Sequence, residues 1–341
     1  MPDFSSDYTR SAHPALLEAI AETAGRQYLP YGTDAPSACA RARIREACRA
    51  PDADVFFLLG GTQTNRLAAD VLLKPYEGVL AADTGHVALH EAGAIEHGGH
   101  KVLTVPHRDG KLTADAAAAF CAAFYGDGNR EHMVFPGMIY VSQPTEYGTL
   151  YSLAELRALR EVCDRFSLRL YADGARLAYA LASPQNDVTL PDLAALCDAF
   201  YIGGTKCGAF CGEALVVPNP ANTPRLFTQI KQHGFLLAKG FLTGVQFERL
   251  FRDDLYLTIG KSAVALADRI REGLKAKGCV QPMIAPTNQV FVLLENERLQ
   301  ALQKTLRVSF WEAADDSHTV VRLATDWATT EADVDALLAL F

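Results

Sequence analysis

The sequence has no uninterrupted apolar run approaching the ~18–20 residues that cross a bilayer. Its opening, Met1-Pro2-Asp3-Phe4, lacks the basic-then-apolar order of a secretory leader. Basic charge is also scarce: 32 Lys and Arg stand against 40 Asp and Glu, a formal net charge of −8. That balance gives no footing for nucleic acid or an anionic membrane. No Cys-x-x-Cys pair occurs among the eight cysteines (Cys39, Cys48, Cys121, Cys163, Cys197, Cys207, Cys211 and Cys279). A chain this long needs no disulfide staples, so free or structural thiols in a reducing cytoplasm are expected. Cys207 and Cys211 are four apart, but no second His or Cys pair lies nearby to complete a metal site. Internal repeats and low-complexity tracts are absent as well. With 341 residues, 49% of them hydrophobic, the chain can build one or two packed cores.

Short apolar runs bounded by Gly, Pro, Asp or Asn recur through the middle of the chain. They fall at Val55–Gly60, Gly78–Asp83, Lys101–Val105, Met138–Gln143, Leu168–Gly174, Ala199–Gly204 and Gly212–Pro218. Several are almost continuously apolar, as strands covered on both faces are. Helical patterns lie between them at Asn65–Leu73, Leu153–Phe166 and Leu190–Cys197. Alternation of this kind predicts an α/β fold, a mostly parallel seven-stranded sheet flanked by helices. Residues 219–260 read differently, as a long helical segment from Pro224 to Leu257 without strand signal. A helix over Ser262–Lys277, strands at Val290–Leu294 and Thr319–Thr325, and a last helix from Thr330 then predict a smaller C-terminal α+β domain. The expected division is an N-terminal segment near the active site (1–15), a large domain (16–245) and a small one (246–341).

Open α/β sheets place ligands at the carboxyl ends of their strands. Five strand-end or strand-borne groups stand out. Gly60-Gly61-Thr62-Gln63-Thr64-Asn65 opens a helix directly after a strand, an arrangement suited to a phosphate, or else a plain turn with Thr62 as N-cap. It has neither the Gly-Lys-Ser/Thr of a nucleotide loop nor the spacing of a dinucleotide fingerprint. Asp173, in Tyr171-Ala172-Asp173-Gly174-Ala175-Arg176, ends an apolar strand and needs a partner, either Arg176 or a protonated ring nitrogen. Lys206, in Gly203-Gly204-Thr205-Lys206-Cys207-Gly208, is either a loop lysine or a pocket amine able to form a Schiff base. His86, after Asp83-Thr84-Gly85, offers a base or a flat stacking surface; a metal pair with His90 lacks a third ligand. Arg322 interrupts an apolar strand and suits two-pronged carboxylate recognition, or is a half-exposed arginine on an alternating strand. Taken together, a phosphate cradle, a strand-end Asp, a pocket lysine, a flat His and a carboxylate-binding Arg are the parts a pyridoxal 5'-phosphate enzyme needs.

At these positions the sequence resembles the low-specificity threonine aldolases of the β-eliminating lyase group. The matching stretches are Phe4-Ser5-Ser6-Asp7, Tyr31-Gly32-Thr33-Asp34, Gly61-Thr62, His86 with Glu91-Ala92-Gly93, Asp173-Gly174-Ala175-Arg176, Lys206, Thr287-Asn288 and Val321-Arg322-Leu323. The resemblance implies the fold of aspartate aminotransferase (fold type I). It implies that Lys206 carries pyridoxal 5'-phosphate, Asp173 meets the pyridine nitrogen and His86 stacks on the ring. Gly61, Thr62 and Thr205 then lie near the phosphate, and Arg176 lies beside the ring hydroxyl or the substrate carboxylate. Arg322 with Ser6 binds that carboxylate. It further implies a homodimer or homotetramer with shared active sites, in which Lys231 or Lys239 reaches a neighbour's phosphate. One departure matters: Pro144-Thr145-Glu146-Tyr147-Gly148 stands where many aldolases have Thr-His, which makes Glu146 a candidate base beside His86. The implied reaction is cleavage of a β-hydroxy-α-amino acid (threonine, allo-threonine or a phenylserine-like compound) to glycine and an aldehyde. β-Elimination, transamination or racemisation of another amino acid use the same electron sink, and a scaffold without catalysis is the remaining alternative.

Overall fold

The computed structural model describes residues 1–341. Seven strands form the main sheet: β1 (Asp54–Leu58), β2 (Glu77–Ala82), β3 (Val102–Val105), β4 (Phe135–Ser142), β5 (Arg169–Asp173), β6 (Ala199–Gly203) and β7 (Glu213–Val217). Their order across the sheet is β1-β7-β6-β5-β4-β2-β3. The run from β3 to β6 is parallel, while β7 is antiparallel to both of its neighbours. A mostly parallel, helix-flanked sheet is therefore what the alternating pattern produces.

Near-continuous apolarity in these strands follows from two buried faces. Leu80, Ile139, Val141, Leu170, Ala172, Phe200, Ile202 and Val216 enter one core. Their chain neighbours Val79, Ala81, Met138, Tyr140, Tyr171, Tyr201 and Leu215 enter the other. Three adjacent strands thus place a tyrosine on the same face. The Leu153–Phe166 helix has the boundaries its pattern predicts, with a Ser152/Glu155 capping box at its start and Ser167 left-handed at its end (φ 59°).

Three expectations need correction. The single helical segment from Pro224 to Leu257 is broken into Leu226–Gln232 and Phe241–Leu250, and a third helix starts at Leu255. Gly234 (φ 75°) and the Asp253–Asp254 pair (φ 55° and 53°) take left-handed backbone between them, which no helix continues through. The next helix accordingly spans Leu255–Ala276 rather than beginning at Ser262. Strand β4 begins at Phe135, before the predicted Met138, because Phe135 and Pro136 pair with Glu77 and Gly78 of β2 and Gly137 is passed over as a bulge instead of turning the chain.

The small C-terminal sheet has three antiparallel strands, β8 (Gln289–Glu295), β9 (Ser309–Ala313) and β10 (His318–Ala324), in the order β8-β10-β9. β9 went unpredicted because its side chains are largely exposed and carry no apolar face. The N-terminal segment is fastened to this sheet. Phe4 donates its N–H to the Arg307 carbonyl at 3.0 Å and accepts from the Ala324 N–H at 2.8 Å. Ser5–Tyr8 are thereby delivered to the crevice between the two sheets. No helix is long and apolar enough to cross a membrane, and all eight cysteines are free thiols.

The β5–β6 crossing tolerates no side chain at Gly174, where a Cβ would lie 1.9 Å from the Tyr201 carbonyl oxygen. Gly174→Ala is expected to destabilise the protein by about 3 kcal/mol, the upper part of the usual overpacking range. Gly128→Ala, at a loop position where a Cβ meets nothing within 4 Å, is expected to stay within about 0.5 kcal/mol. Urea unfolding midpoints of the two variants check the contrast.

Candidate active site

Asp173 ends β5 inside the protein, and a bare carboxylate there would be costly. Three donors satisfy it. Its Oδ2 accepts from Asn65 Nδ2 at 2.9 Å and from the Tyr140 hydroxyl at 2.7 Å. Its Oδ1 accepts from the Ala175 N–H at 2.9 Å. Asn65 also donates to Glu91 Oε1 at 2.7 Å, and its own Oδ1 accepts from the Tyr171 hydroxyl at 3.0 Å. Glu91 Oε1 in turn meets His86 Nδ1 at 2.8 Å. Burial works against the Asp173 charge, but the nearby His86 and Tyr201 hydroxyl and the bonds from Tyr140 and Ala175 prevail and hold its carboxyl below the usual range. Burial likewise disfavours a charged His86. The Glu91 bond, with Glu146 and Asp173 nearby, outweighs it and moves the ring toward its protonated form. His86, Glu91 and Asp173 stand close enough to suggest a cation site. However, both carboxylates are spanned by the Asn65 amide hydrogens, which a cation would repel.

The alternative pairing of Asp173 with Arg176 is not what the structure shows. Arg176 points to Asp7, with Nε to Oδ2 at 2.6 Å and Nη2 to Oδ1 at 3.0 Å, both side chains buried. Asn288 Nδ2 adds a third bond to Asp7 at 2.9 Å. Nor do His86 and His90 form a helical metal pair. The helix they would share is a single turn, His86–Leu89, and the rings are tilted at 5.7 Å between centroids.

Above this network lies a cavity of about 600 Å³, into which Lys206, His86, Glu146, Arg176 and Arg322 all project. Lys206 stands in a one-turn 3₁₀ segment after β6, its Nζ 5.8 Å from the centre of the Tyr8 ring. Arg322 is buried on β10 and has no carboxylate partner. Its Nη1 donates to Gln289 Oε1 at 3.2 Å, its Nη2 reaches the Ser5 carbonyl at 3.4 Å, and the guanidinium lies 5.7 Å over the Trp311 ring. The Nε of Arg322 and the hydroxyls of Ser6 and Thr84 are buried without any partner. A buried cation beside unspent donors is a site awaiting an anion.

At the phosphate-like turn, Gly60 is extended and the helix begins at Gly61, so Thr62 sits inside the first turn rather than at the N-cap. A Cβ on Gly61 would lie 2.8 Å from the Tyr201 hydroxyl. Tyr201 therefore packs beneath the free N–H groups of the helix start while its hydroxyl also stands near Asp173. Thr205 Oγ1 accepts from the Gly212 N–H at 3.1 Å. Lys231 and Lys239 are exposed and outside this cavity; Lys231 lies over the Tyr31 ring at 4.5 Å.

Residues 3–301 match the family model described as β-eliminating lyase. The chain belongs to the β-eliminating lyase family. It is 30% identical over 303 residues to the low-specificity L-threonine aldolase of Pseudomonas aeruginosa, covering 88% of this chain and 86% of that protein. The threonine aldolase of Leishmania major superposes with a TM-score of 0.96 at 40% identity, covering 100% of this chain and 98% of that one. Aspartate aminotransferase from Thermus thermophilus shares the fold alone, with a TM-score of 0.71 at 14% identity over 100% of this chain and 91% of that one. The chain is thus a lyase of the aminotransferase fold with pyridoxal 5'-phosphate as its cofactor. The residues present fit that group: a pocket amine, an ionised carboxylate at a strand end, a flat imidazole, and orphaned donors around an unpaired arginine.

Sequence reasoning missed Asn65 and Tyr140 as partners of Asp173, Tyr201 beside them, Asp7 as the partner of Arg176, and Trp311 beneath Arg322. Asp7 stood within a quoted motif, and its acidity next to the apolar Phe4 was the available signal.

Burial opposes the Asp7 charge, yet Arg176, Lys206 and Arg322 hold its carboxyl far below its ordinary 3.8. The pair's stabilisation is therefore present above that value and is lost as pH falls through the lower folded one. Asp7→Asn leaves Arg176 buried and uncompensated and is expected to cost about 3–5 kcal/mol at neutral pH. The variant should also show a flatter acid limb in thermal melts taken from pH 7 down to pH 2.

Proposed function

We propose that this protein is an aldolase that uses pyridoxal 5'-phosphate to cleave a β-hydroxy-α-amino acid, threonine, allo-threonine or a phenylserine-like compound, to glycine and an aldehyde. The observation that carries the reading is Arg322, a buried guanidinium without a carboxylate partner, in the same cavity as the amine of Lys206. An amino-acid substrate brings the missing carboxylate. Support comes also from the names of the relatives, which are threonine aldolases.

When bound, the cofactor supplies an electron sink for the charge left on Cα as the Cα–Cβ bond breaks. Lys206 would hold it through its amine, with Asp173 available to the pyridine nitrogen and His86 to the ring. Gly61 and Thr62 would offer N–H groups to the phosphate, with Thr205 nearby. Arg322 and the Ser6 hydroxyl would fix the substrate carboxylate and so orient the bond to be broken. Arg176, neutralised by Asp7, adds a donor at the edge of the cavity without an added net charge. A base must take the proton of the β-hydroxyl. His86 is held toward its protonated form by Glu91, which leaves Glu146, on the same cavity wall, as the candidate acceptor.

The same reading takes the protein as a homodimer or homotetramer in the cytoplasm, with Lys231 or Lys239 reaching a neighbour's phosphate. It keeps a division into 1–15, 16–245 and 246–341. The eight unpaired thiols suit a reducing compartment.

Purified protein is expected to release aldehyde from at least one of threonine, allo-threonine and phenylserine. Pyruvate and ammonia from serine, without aldehyde from any of the three, would point to β-elimination instead. Lys206→Ala should abolish the visible cofactor band that borohydride otherwise fixes to this residue. Arg322→Ala should raise KM about 10–100-fold, the size of a lost charge-assisted bond. Glu146→Gln should lower kcat by about 10²-fold or more with KM little changed.

A further inference from the structure

One fully buried titratable group has no part in the chemistry above. Glu213 is the first residue of β7, paired across the sheet with Gly203 of β6 on one side and Leu58 of β1 on the other. It is 4% exposed. Its Oε2 accepts from the Gly204 N–H at 3.0 Å, and the Thr205 side chain, whose hydroxyl points to the Gly212 carbonyl at 3.5 Å, stands beside its carboxyl group. Those two residues immediately precede Lys206. Further bonds close the same turn: the Gly204 and Thr205 N–H groups both reach the Gly212 carbonyl, at 3.0 and 3.1 Å, and Gly212 returns its N–H to Thr205 Oγ1 at 3.1 Å. On the far side, the Tyr179 hydroxyl donates to the Lys206 carbonyl and the Tyr256 hydroxyl donates to the Gly203 carbonyl. The side-chain anchor on the Gly204 N–H comes from Glu213 alone.

We infer that Glu213 is a positioning residue for Lys206: its carboxyl group, clamped on the Gly204 amide, fixes the turn that presents the lysine amine to the cavity. The inference rests on Lys206 as the cofactor-bearing residue. Burial pushes the Glu213 carboxyl up to about 8, with the nearby Thr205 hydroxyl, the Gly204 bond and Lys206 only partly offsetting it and Asp173 adding to it. At neutral pH the group is therefore largely an uncharged acid that still accepts from the Gly204 N–H. An uncharged brace holds the turn without pairing the lysine amine into a fixed ion pair. It also explains why an acid can occupy the centre of a sheet whose neighbouring side chains are Ala214, Leu215 and Val216.

Apoprotein of wild type, Glu213→Gln and Glu213→Leu is mixed with pyridoxal 5'-phosphate, trapped with borohydride over time and mapped by peptide. Thermal melts and steady-state kinetics are recorded alongside. Glutamine keeps the acceptor for the Gly204 N–H, so its capture rate at Lys206 is expected within about threefold of wild type. Leucine keeps the volume and loses the brace. Its capture rate should fall at least about 10-fold and kcat by about 10–100-fold, with KM within about twofold, as displacement of a reacting group by ~1 Å does. Wild-type capture and kcat in Glu213→Leu, or equal losses in both variants, would overturn the inference while leaving Lys206 as cofactor carrier intact. Label on a different lysine in the wild type would overturn both. Should Glu213→Leu not fold, Glu213→Met takes its place, and an unchanged capture rate there overturns the inference.

Discussion

The hydrogen bonding of Asp173 is the constraint around which the rest of the site is arranged. A carboxylate at the centre of a two-faced sheet has no water to solvate it, so the sequence must supply donors from elements far apart in the chain. It does so with an amide from the helix after β1, a phenol from β4 and a backbone N–H from the turn after β5. Because Asn65 serves Glu91 with the same nitrogen, the charge state of Asp173 is coupled through one amide to the orientation of His86. Neither carboxylate can ionise, rotate or be replaced without affecting the other. A buried network of this kind gains rigidity from the bonds it does make, and Thr84 Oγ1 and Arg322 Nε are left unspent at the cavity.

The two arginines of the cavity show how the chain separates structure from recognition. Arg176 follows β5 and is locked by Asp7 and, through Asp7, by Asn288. That triad ties the N-terminal segment, the large sheet and the small sheet together at one point. Arg322 is held only by uncharged groups, Gln289, the Ser5 carbonyl and the face of Trp311. Uncharged partners orient a guanidinium while leaving its charge available. One cation therefore joins elements of the fold, and the other stays electrostatically open for an anion.

Much of this was legible before any coordinates. The seven strands were readable because burial on both faces removes polar residues from them, and the strand-end polar groups Asp173, Lys206 and His86 stood out against that background. Illegible parts have physical reasons. β9 is exposed, so Ser309–Ala313 carries no apolar signature although it brings Trp311 to Arg322. The breaks at Gly234 and Asp253–Asp254 were hidden because composition alone reads Pro224–Leu257 as helical, whereas left-handed backbone is a three-dimensional choice. Pairing of Arg176 with Asp7 spans 169 positions of sequence, and nearness in sequence offered only Asp173 as an alternative partner. Tyrosines gave no signal because each reads as one more apolar strand residue.

Those tyrosines solve a problem inherent to the architecture. A sheet packed on both faces needs apolar side chains, yet the site at its edge needs hydrogen-bond donors at depth. Phenylalanine would satisfy the first need and asparagine the second, at the cost of the other. Tyr140, Tyr171 and Tyr201 place their rings in the core on the helix-covered face of three adjacent strands. Their hydroxyls reach Asp173, Asn65 and the space beneath Gly61 respectively. Because side chains alternate along a strand, all three had to occupy the same parity of position in β4, β5 and β6. The parallel register that pairs Tyr140 with Tyr171 then carries both phenols toward the carboxyl ends of the strands. A shift of one residue in any of these strands would turn its hydroxyl into the opposite core and leave part of the network without its donor.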